Sequence, residues 1–187
     1  ERRRSAVRRS RDDRALNPVV DDAGRKGPPM PSDDLRERRL AVLEDHFRSE
    51  IDHDWDACLA TFEGVPRYEI VATGQVHEGR DAVVAYHRGQ RTAFPDQRHE
   101  NVRMHVADDD TIVSEFDLLG TNTGELMGMA PTGRAFRVPA IAVFTFSGER
   151  ITNERVYLDG ASLLRQIGRE ELLPFAGTVD FSAADMR

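Results

Sequence analysis

Cysteine occurs once in these 187 residues, at Cys58, so no disulfide framework can staple the chain. A lone thiol suits a reducing compartment, and a cytoplasmic protein is expected. Lysine is also nearly absent: Lys26 is the only one, an arginine bias that reads as genome composition rather than function. No apolar run approaches the ~20 residues of a membrane span. The start shows no apolar core of a secretory leader, and the missing initial Met reads as a trimmed start. The net charge of -7 argues against nucleic acid as the partner of the main body. No Gly-x-Ser-x-Gly elbow is present, which argues against a serine hydrolase. Gly120, Gly124 and Gly128 do not follow a strand-to-helix turn, so they form no phosphate loop. His46, His53, His77, His87, His99 and His105 lack the paired spacing of metal ligands, and no metal is expected. In Asp52-His53-Asp54-Trp55-Asp56 a calcium loop would next need a glycine, but Ala57 stands there. That run reads instead as a capping cluster between two helices.

Hydrophobic residues make up 39% of the chain and charged residues 32%, with the apolar deficit concentrated at the N-terminus. Residues 1–32 are rich in Arg, Asp, Pro and Gly and offer little to bury, so they read as a flexible extension. Its arginines, Arg2 to Arg4, Arg8, Arg9 and Arg11, are interleaved with no aromatic residue and are followed at once by Asp12 and Asp13. A solvated tail is the reading they support.

Residues 33–168 carry the periodic segments. Ser32 or Asp33 can cap a first helix, with Leu35, Leu40, Leu43 and Phe47 at helical spacing. A shorter helix is predicted over 54–62 and a third from 80 to 94, stopped by Pro95. Short strands are predicted near 67–72 and 74–78, then four longer ones near 97–107, 111–122, 134–146 and 150–158. Leu163, Leu164 and Ile167 form a last short helix closed by Gly168, and residues 169–187 read as a C-terminal tail. This order predicts an α+β fold, a cone-shaped curved antiparallel sheet packed on three helices and enclosing a pocket.

The segment 151–159 carries the candidate site. In a strand, Asn153, Arg155, Tyr157 and Asp159 share one face, and Thr152, Glu154, Val156 and Leu158 share the other. The first face is either a polar pocket floor or a solvated outer face; Val156 and Leu158 can enter a core. On the pocket reading, the third helix brings Tyr86 or His87 close to Asp159. Cys58, beside Leu59, reads as a core filler.

Several motifs add to this. Phe94-Pro95-Asp96, Gly120-Thr121-Asn122-Thr123-Gly124-Glu125-Leu126, Ala130-Pro131-Thr132-Gly133-Arg134 and Ala142-Val143-Phe144-Thr145-Phe146 are four of them. The fifth is Asp159-Gly160-Ala161-Ser162-Leu163-Leu164-Arg165-Gln166-Ile167-Gly168. Together they resemble the SnoaL-like polyketide cyclase family over about residues 36–168. The resemblance implies the nuclear transport factor 2-like cone, a homodimer formed through the sheet, and a small hydrophobic metabolite as partner. It also implies acid/base chemistry without a cofactor: aldol-type cyclisation, isomerisation or epoxide opening. The family's carboxylate at the end of the last strand falls on Asp159, with Asn153, Arg155, Tyr157, Tyr86 and His87 as substrate-binding candidates. Two positions depart from the cyclases, Arg155 in place of an aromatic and Thr145 in place of a histidine. The alternative function is a non-catalytic ligand-binding or dimerisation module of the same fold.

Overall fold

The computed structural model describes residues 31–175. The Arg-rich stretch of the expected 1–32 extension, and most of the expected C-terminal tail, therefore lie outside the described residues. Helix α1 (Asp33–Asp52) starts at Ser32, whose hydroxyl accepts the Leu35 amide at 3.3 Å. It stops at His53 in the left-handed conformation, and Asp54 at once caps α2 (Trp55–Leu59) by accepting the Ala57 amide at 3.0 Å. The acidic run 52–56 is thus a double cap.

Two short strands follow, β1 (Arg67–Ile70) and β2 (Gln75–Glu78), then α3 (Arg80–Ala93). The meander is β3 (Arg98–Val106), β4 (Thr111–Thr121), β5 (Ala135–Ser147) and β6 (Arg150–Leu158). Helix α4 (Gly160–Ile167) and a 3-10 turn (Glu170–Phe175) end the described chain. The six strands form one curved, unclosed sheet in the order β2-β1-β6-β5-β4-β3. The expected α+β cone is present, with two refinements. Strand β1 joins β6 in parallel, Tyr68 opposite Glu154, while every other pairing is antiparallel. The last short helix, expected before Gly168, is α4; it packs beside β5 and is a fourth helix where the cone was expected to rest on three.

Strand β5 shows why the sheet has one dry face. Phe136, Val138, Ala140, Ala142, Phe144 and Phe146 alternate inward and are buried, while Arg137, Pro139 and Ile141 point out. Leu43 and Phe47 of α1 and Val83 of α3 close the core from the other side.

The motifs that carry the family resemblance interlock. Asn122 is fully buried; its amide donates to the carbonyls of Gly124 (2.9 Å) and Ala93 (3.3 Å), and its oxygen accepts from the Thr132 amide (3.0 Å) and hydroxyl (3.2 Å). Asp96 accepts from the Thr121 amide at 2.6 Å and hydroxyl at 2.7 Å. These residues fasten the end of α3 to the β4–β5 connection, which explains why they mark a fold rather than a reaction.

Arg39 does similar work at the far end. It is buried, its Nε donates to the Gly148 carbonyl at 2.7 Å, its Nη1 donates to the Asp109 carbonyl, and its guanidinium lies 5.0 Å from the Phe146 ring centre. Arg39→Ala removes its bonds to both hairpin turns and leaves only the exposed Arg38–Glu149 pair, at 2.8 Å, between α1 and the β5–β6 turn. Urea denaturation should show a loss of about 3 kcal/mol, the scale of two charged hydrogen bonds and a lost packing stem.

Candidate active site inside the cone

The polar stripe of β6 faces outward. Glu154 and Val156 are buried and, with half-buried Leu158, line the interior cavity, whereas Tyr157 is 39% exposed. Strand parity offered two faces, and the core took the one carrying Val156 and Leu158 because apolar burial outweighs any gain from enclosing an Arg and an Asp. A bulge contributes: Thr145 pairs with Asn153 but Phe146 with Ile151, so Thr152 is the extra residue and Ile151 also turns inward. The expected placement of Asn153, Arg155, Tyr157 and Asp159 on the concave face is therefore corrected. Asn153 donates to Glu69 at 2.9 Å on the outer face, and Arg155 lies near the same carboxylate. Tyr157 sits opposite Ile141. Asp159 is exposed and caps α4, accepting the Ser162 amide at 2.9 Å and hydroxyl at 2.6 Å. Those two bonds, aided by Arg165, hold its carboxyl below the usual range. His87 and Tyr86 do line the cavity.

The cavity has a volume of about 60 Å³ and gathers titratable groups from five elements. Helix α1 supplies Glu50, because Leu43, His46, Phe47 and Glu50 follow the helical repeat and all enter the core. Helix α3 supplies His87, one turn from Val83, and β3 supplies His99. Tyr68 comes from β1 and Glu154 from β6. Phe116, Leu118, Val156, Leu158 and Leu163 make the apolar wall, and Gln90 and Gln97 also border it. A second recess, about 400 Å³, opens on the solvent side of α3 among Asp54, Trp55, Arg80 and Arg88. It is larger but collects mostly exposed charges, so the chemistry lies in the inner cavity.

Hydrogen-bond accounting assigns the protons around His46, which is fully buried. The Thr61 hydroxyl donates to the Cys58 carbonyl at 2.5 Å, so its oxygen is left to accept from His46 Nδ1 at 2.9 Å. His46 Nε2 lies 3.1 Å from Glu154 Oε2 and must carry a second proton to bond a carboxylate. Burial opposes an imidazolium here, but Cys58 and Glu154 outweigh it and raise His46 well above its ordinary value. Burial raises the Cys58 thiol above its ordinary value, and the side chain that meets His46 Nε2 is Glu154 at 3.1 Å. The core thus holds a His46–Glu154 ion pair.

Glu50 stands beside this pair. Its Oε1 lies 3.7 Å from His46 Nε2 and 3.6 Å from His87 Nε2, and its Oε2 lies 3.3 Å from His99 Nε2. Oε1 has no hydrogen-bond partner among the described residues. Burial first, then the charge of Glu154, push the Glu50 carboxyl up to about 7. His87 and His99 go the other way, each down to about 3: burial leads in both, followed by His46 and Arg91 at His87 and by Arg91 and His46 at His99. Both rings are therefore neutral at any working pH. Burial raises Tyr68 and Tyr86 as well, so both phenols remain donors. A carboxyl that titrates near neutrality, facing two neutral imidazoles and flanked by the His46–Glu154 pair in a buried cavity, is an arrangement fit for proton transfer.

Two groups bring three ligand-type atoms within 4.8 Å of one another: His46, Glu50 and Cys58, and Asp108, Asp109 and Asp110. In the first, both His46 nitrogens already have partners, Thr61 and Glu154, and no lone pair is left for a cation. The second is an exposed hairpin turn whose Asp108 accepts the Asp110 amide at 3.2 Å.

His46, Glu50 and Glu154 were missed by sequence reasoning, although two signals pointed to them. Residues 46 and 50 fall on the Leu43/Phe47 face of α1, and Glu154 shares strand parity with Val156 and Leu158. Ionisable residues embedded in an apolar repeat are the pattern that marked them.

The chain belongs to the SnoaL-like polyketide cyclase family, which matches it over residues 44–167. Solved structures repeat the fold. A Jannaschia sp. CCS1 protein classed as a SnoaL-like polyketide cyclase superposes with a TM-score of 0.62 at 21% identity, covering 77% of this chain and 97% of that one. A Xanthomonas campestris pv. campestris protein classed as a polyketide cyclase gives 0.66 at 18% identity, covering 71% and 98%. AclR of Streptomyces galilaeus, classed as a hydroxylase, gives 0.60 at 20% identity, covering 71% and 86%. No curated protein is significantly similar in sequence. Among the described residues no helix is long and apolar enough to cross a membrane.

Proposed function

We propose that this protein is an enzyme of acid/base chemistry that moves a proton next to a carbonyl or an epoxide of a hydrophobic metabolite, with Glu50 as the group that takes it up. The observation that carries this reading is Glu50 itself: a buried carboxyl with one unpartnered oxygen, poised at about 7, on the wall of a cavity. The chemistry calls on no electron carrier. The metabolite is neutral at its reacting end, since two acidic side chains, Glu50 and Glu154, line the cavity and disfavour an anion. A cavity of about 60 Å³ admits only that end, with the remainder held toward Gln90, Gln97 and Leu163. Membership of a cyclase family supports the class of reaction: aldol-type closure, isomerisation and epoxide opening all begin with such a transfer.

The test is deuterium uptake from solvent at the carbon next to the carbonyl in a panel of neutral aromatic ketones, read by mass spectrometry. Wild type and Asp159→Asn should exchange alike, within about threefold, because Asp159 lies at a helix cap outside the cavity, while Glu50→Gln should not. Equal exchange by Glu50→Gln would remove Glu50 from the mechanism, and loss in Asp159→Asn alone would return the role to the end of β6.

A homodimer through the outer sheet face is part of the same proposal. Ile141 and Tyr157 are paired across β5 and β6 and stand 42% and 39% exposed, an apolar contact surface that no described residue covers.

A further inference from the structure

His99 lines the cavity beside Glu50, with a nitrogen that the role of Glu50 alone does not use. Its ring lines the cavity and is held edge-on between two phenylalanines, Phe47 (4.8 Å, 71°) and Phe116 (4.9 Å, 89°). Nε2 lies 3.3 Å from Glu50 Oε2. Nδ1 is buried and has no hydrogen-bond partner among the described residues. A buried ring with one nitrogen 3.3 Å from a carboxylate oxygen and the other without a partner among the described residues is a conduit with one open end.

We propose that His99 and Glu50 form a catalytic dyad in which the neutral imidazole relays the substrate proton to the carboxylate by exchanging tautomers. This rests on the reading of Glu50 as the acid/base group of the site. With Glu50 ionised, the ring in its Nε2–H tautomer faces Oε2 across the 3.3 Å contact and Nδ1 presents a lone pair. The proton leaving the carbon forms a bond to Nδ1 as the Nε2 proton passes to Oε2, and the C–H electron pair moves onto the carbonyl as an enolate. The ring is neutral before and after; Glu50 ends as the acid. The reverse transfer delivers the proton to the product.

Burial, Arg91 and His46 hold His99 down at about 3, which disfavours an imidazolium and favours the tautomer shift as the means of carrying a proton. The groups that bear on Glu50 set the point of exchange. Glu154 of β6 raises it, while His46 of α1 and Arg91 of α3 lower it. His87 of α3 faces the opposite oxygen and is itself neutral, as is Tyr68 of β1.

Nitrogen NMR of the full chain labelled with 15N-histidine tests this without any ligand. Across pH 5.5 to 8.5 the His99 signals, assigned by their loss in His99→Phe, should remain those of a neutral ring. The proton should move from Nδ1 to Nε2 with a midpoint near the titration of Glu50. Glu50→Gln should abolish the movement. A single tautomer throughout, or an imidazolium in this range, overturns the dyad. In the ketone exchange assay His99→Phe should lose at least tenfold, and full exchange by that variant would overturn it too. A tautomer switch in a wild type that exchanges no ketone would leave the relay standing and sink the proposed reaction, so the two failures are distinguishable.

Discussion

Glu50→Gln should lose turnover by a factor of about 10² to 10⁴, the usual share of a general acid/base, and at the same time make the protein more stable above neutrality. The two effects have one cause. The folded state holds the Glu50 carboxyl at about 7 and the unfolded chain near 4.5, so folding binds an extra proton between those values. A group raised on folding contributes its full stability below the unfolded value and loses it as pH rises through the folded one. The shift corresponds to about 3 kcal/mol of cost at pH 8. Gln keeps the shape and cannot ionise, so it escapes that cost. Denaturant curves of the two proteins should nearly coincide at pH 5 and separate by up to about 3 kcal/mol at pH 8. A variant that is less stable at both values would mean that Glu50 is ionised and structural.

The histidines complete the profile. His87 and His99 have depressed folded values, so their stabilisation is present above about 6.5 and is lost as pH falls toward 3. His46 and Glu50 have raised values and lose theirs on the alkaline side. Wild-type stability is expected to peak near pH 6.5 and fall in both directions, and a maximum displaced to pH 8 or above would contradict this set of shifts.

Gly124→Ala is the second large effect, and it acts on the fold alone. A Cβ built at this position meets the Thr92 carbonyl oxygen at 1.8 Å, and that oxygen is backbone, so no side chain can swing away. The strand connection would have to leave the end of α3, breaking the bonds that Asn122 makes to Ala93 and Gly124. The loss should be about 3 kcal/mol or more, in the range of severe overpacking. Thermal unfolding should show a much lower midpoint, whereas Gly128→Ala, with nothing within 4 Å, should show only the smaller strain of its positive φ. Similar midpoints for the two variants would refute the close approach.

Much of the fold was legible in the sequence, and the reason is local. The elements follow apolar repeats of period two and 3.6, and caps such as Ser32 and Asp54 mark their ends by side-chain chemistry that needs no tertiary partner. The order of those elements, helices then a meander, leaves few ways to bury their apolar faces. The motifs around Asn122 pointed to the family because they encode the fastening of α3 to the sheet. The site was legible only in part. His87 was placed near the cavity by its position on α3, yet Asn153, Arg155 and Tyr157 of β6, and Asp159 just beyond it, were set on the wrong face.

The sequence by itself determined which residues share a face. It could not determine which face the core would take, because parity is symmetric and the choice is made by what lies opposite. Only the tertiary structure brought Glu50, His99 and Glu154 together: they are separated by 49 and 55 residues along the chain and meet because α1 lies across the concave side of β3 and β6. It also decided their chemistry. A glutamate becomes a base near neutrality through desolvation and a neighbouring charge, and both are properties of the assembled interior rather than of any segment.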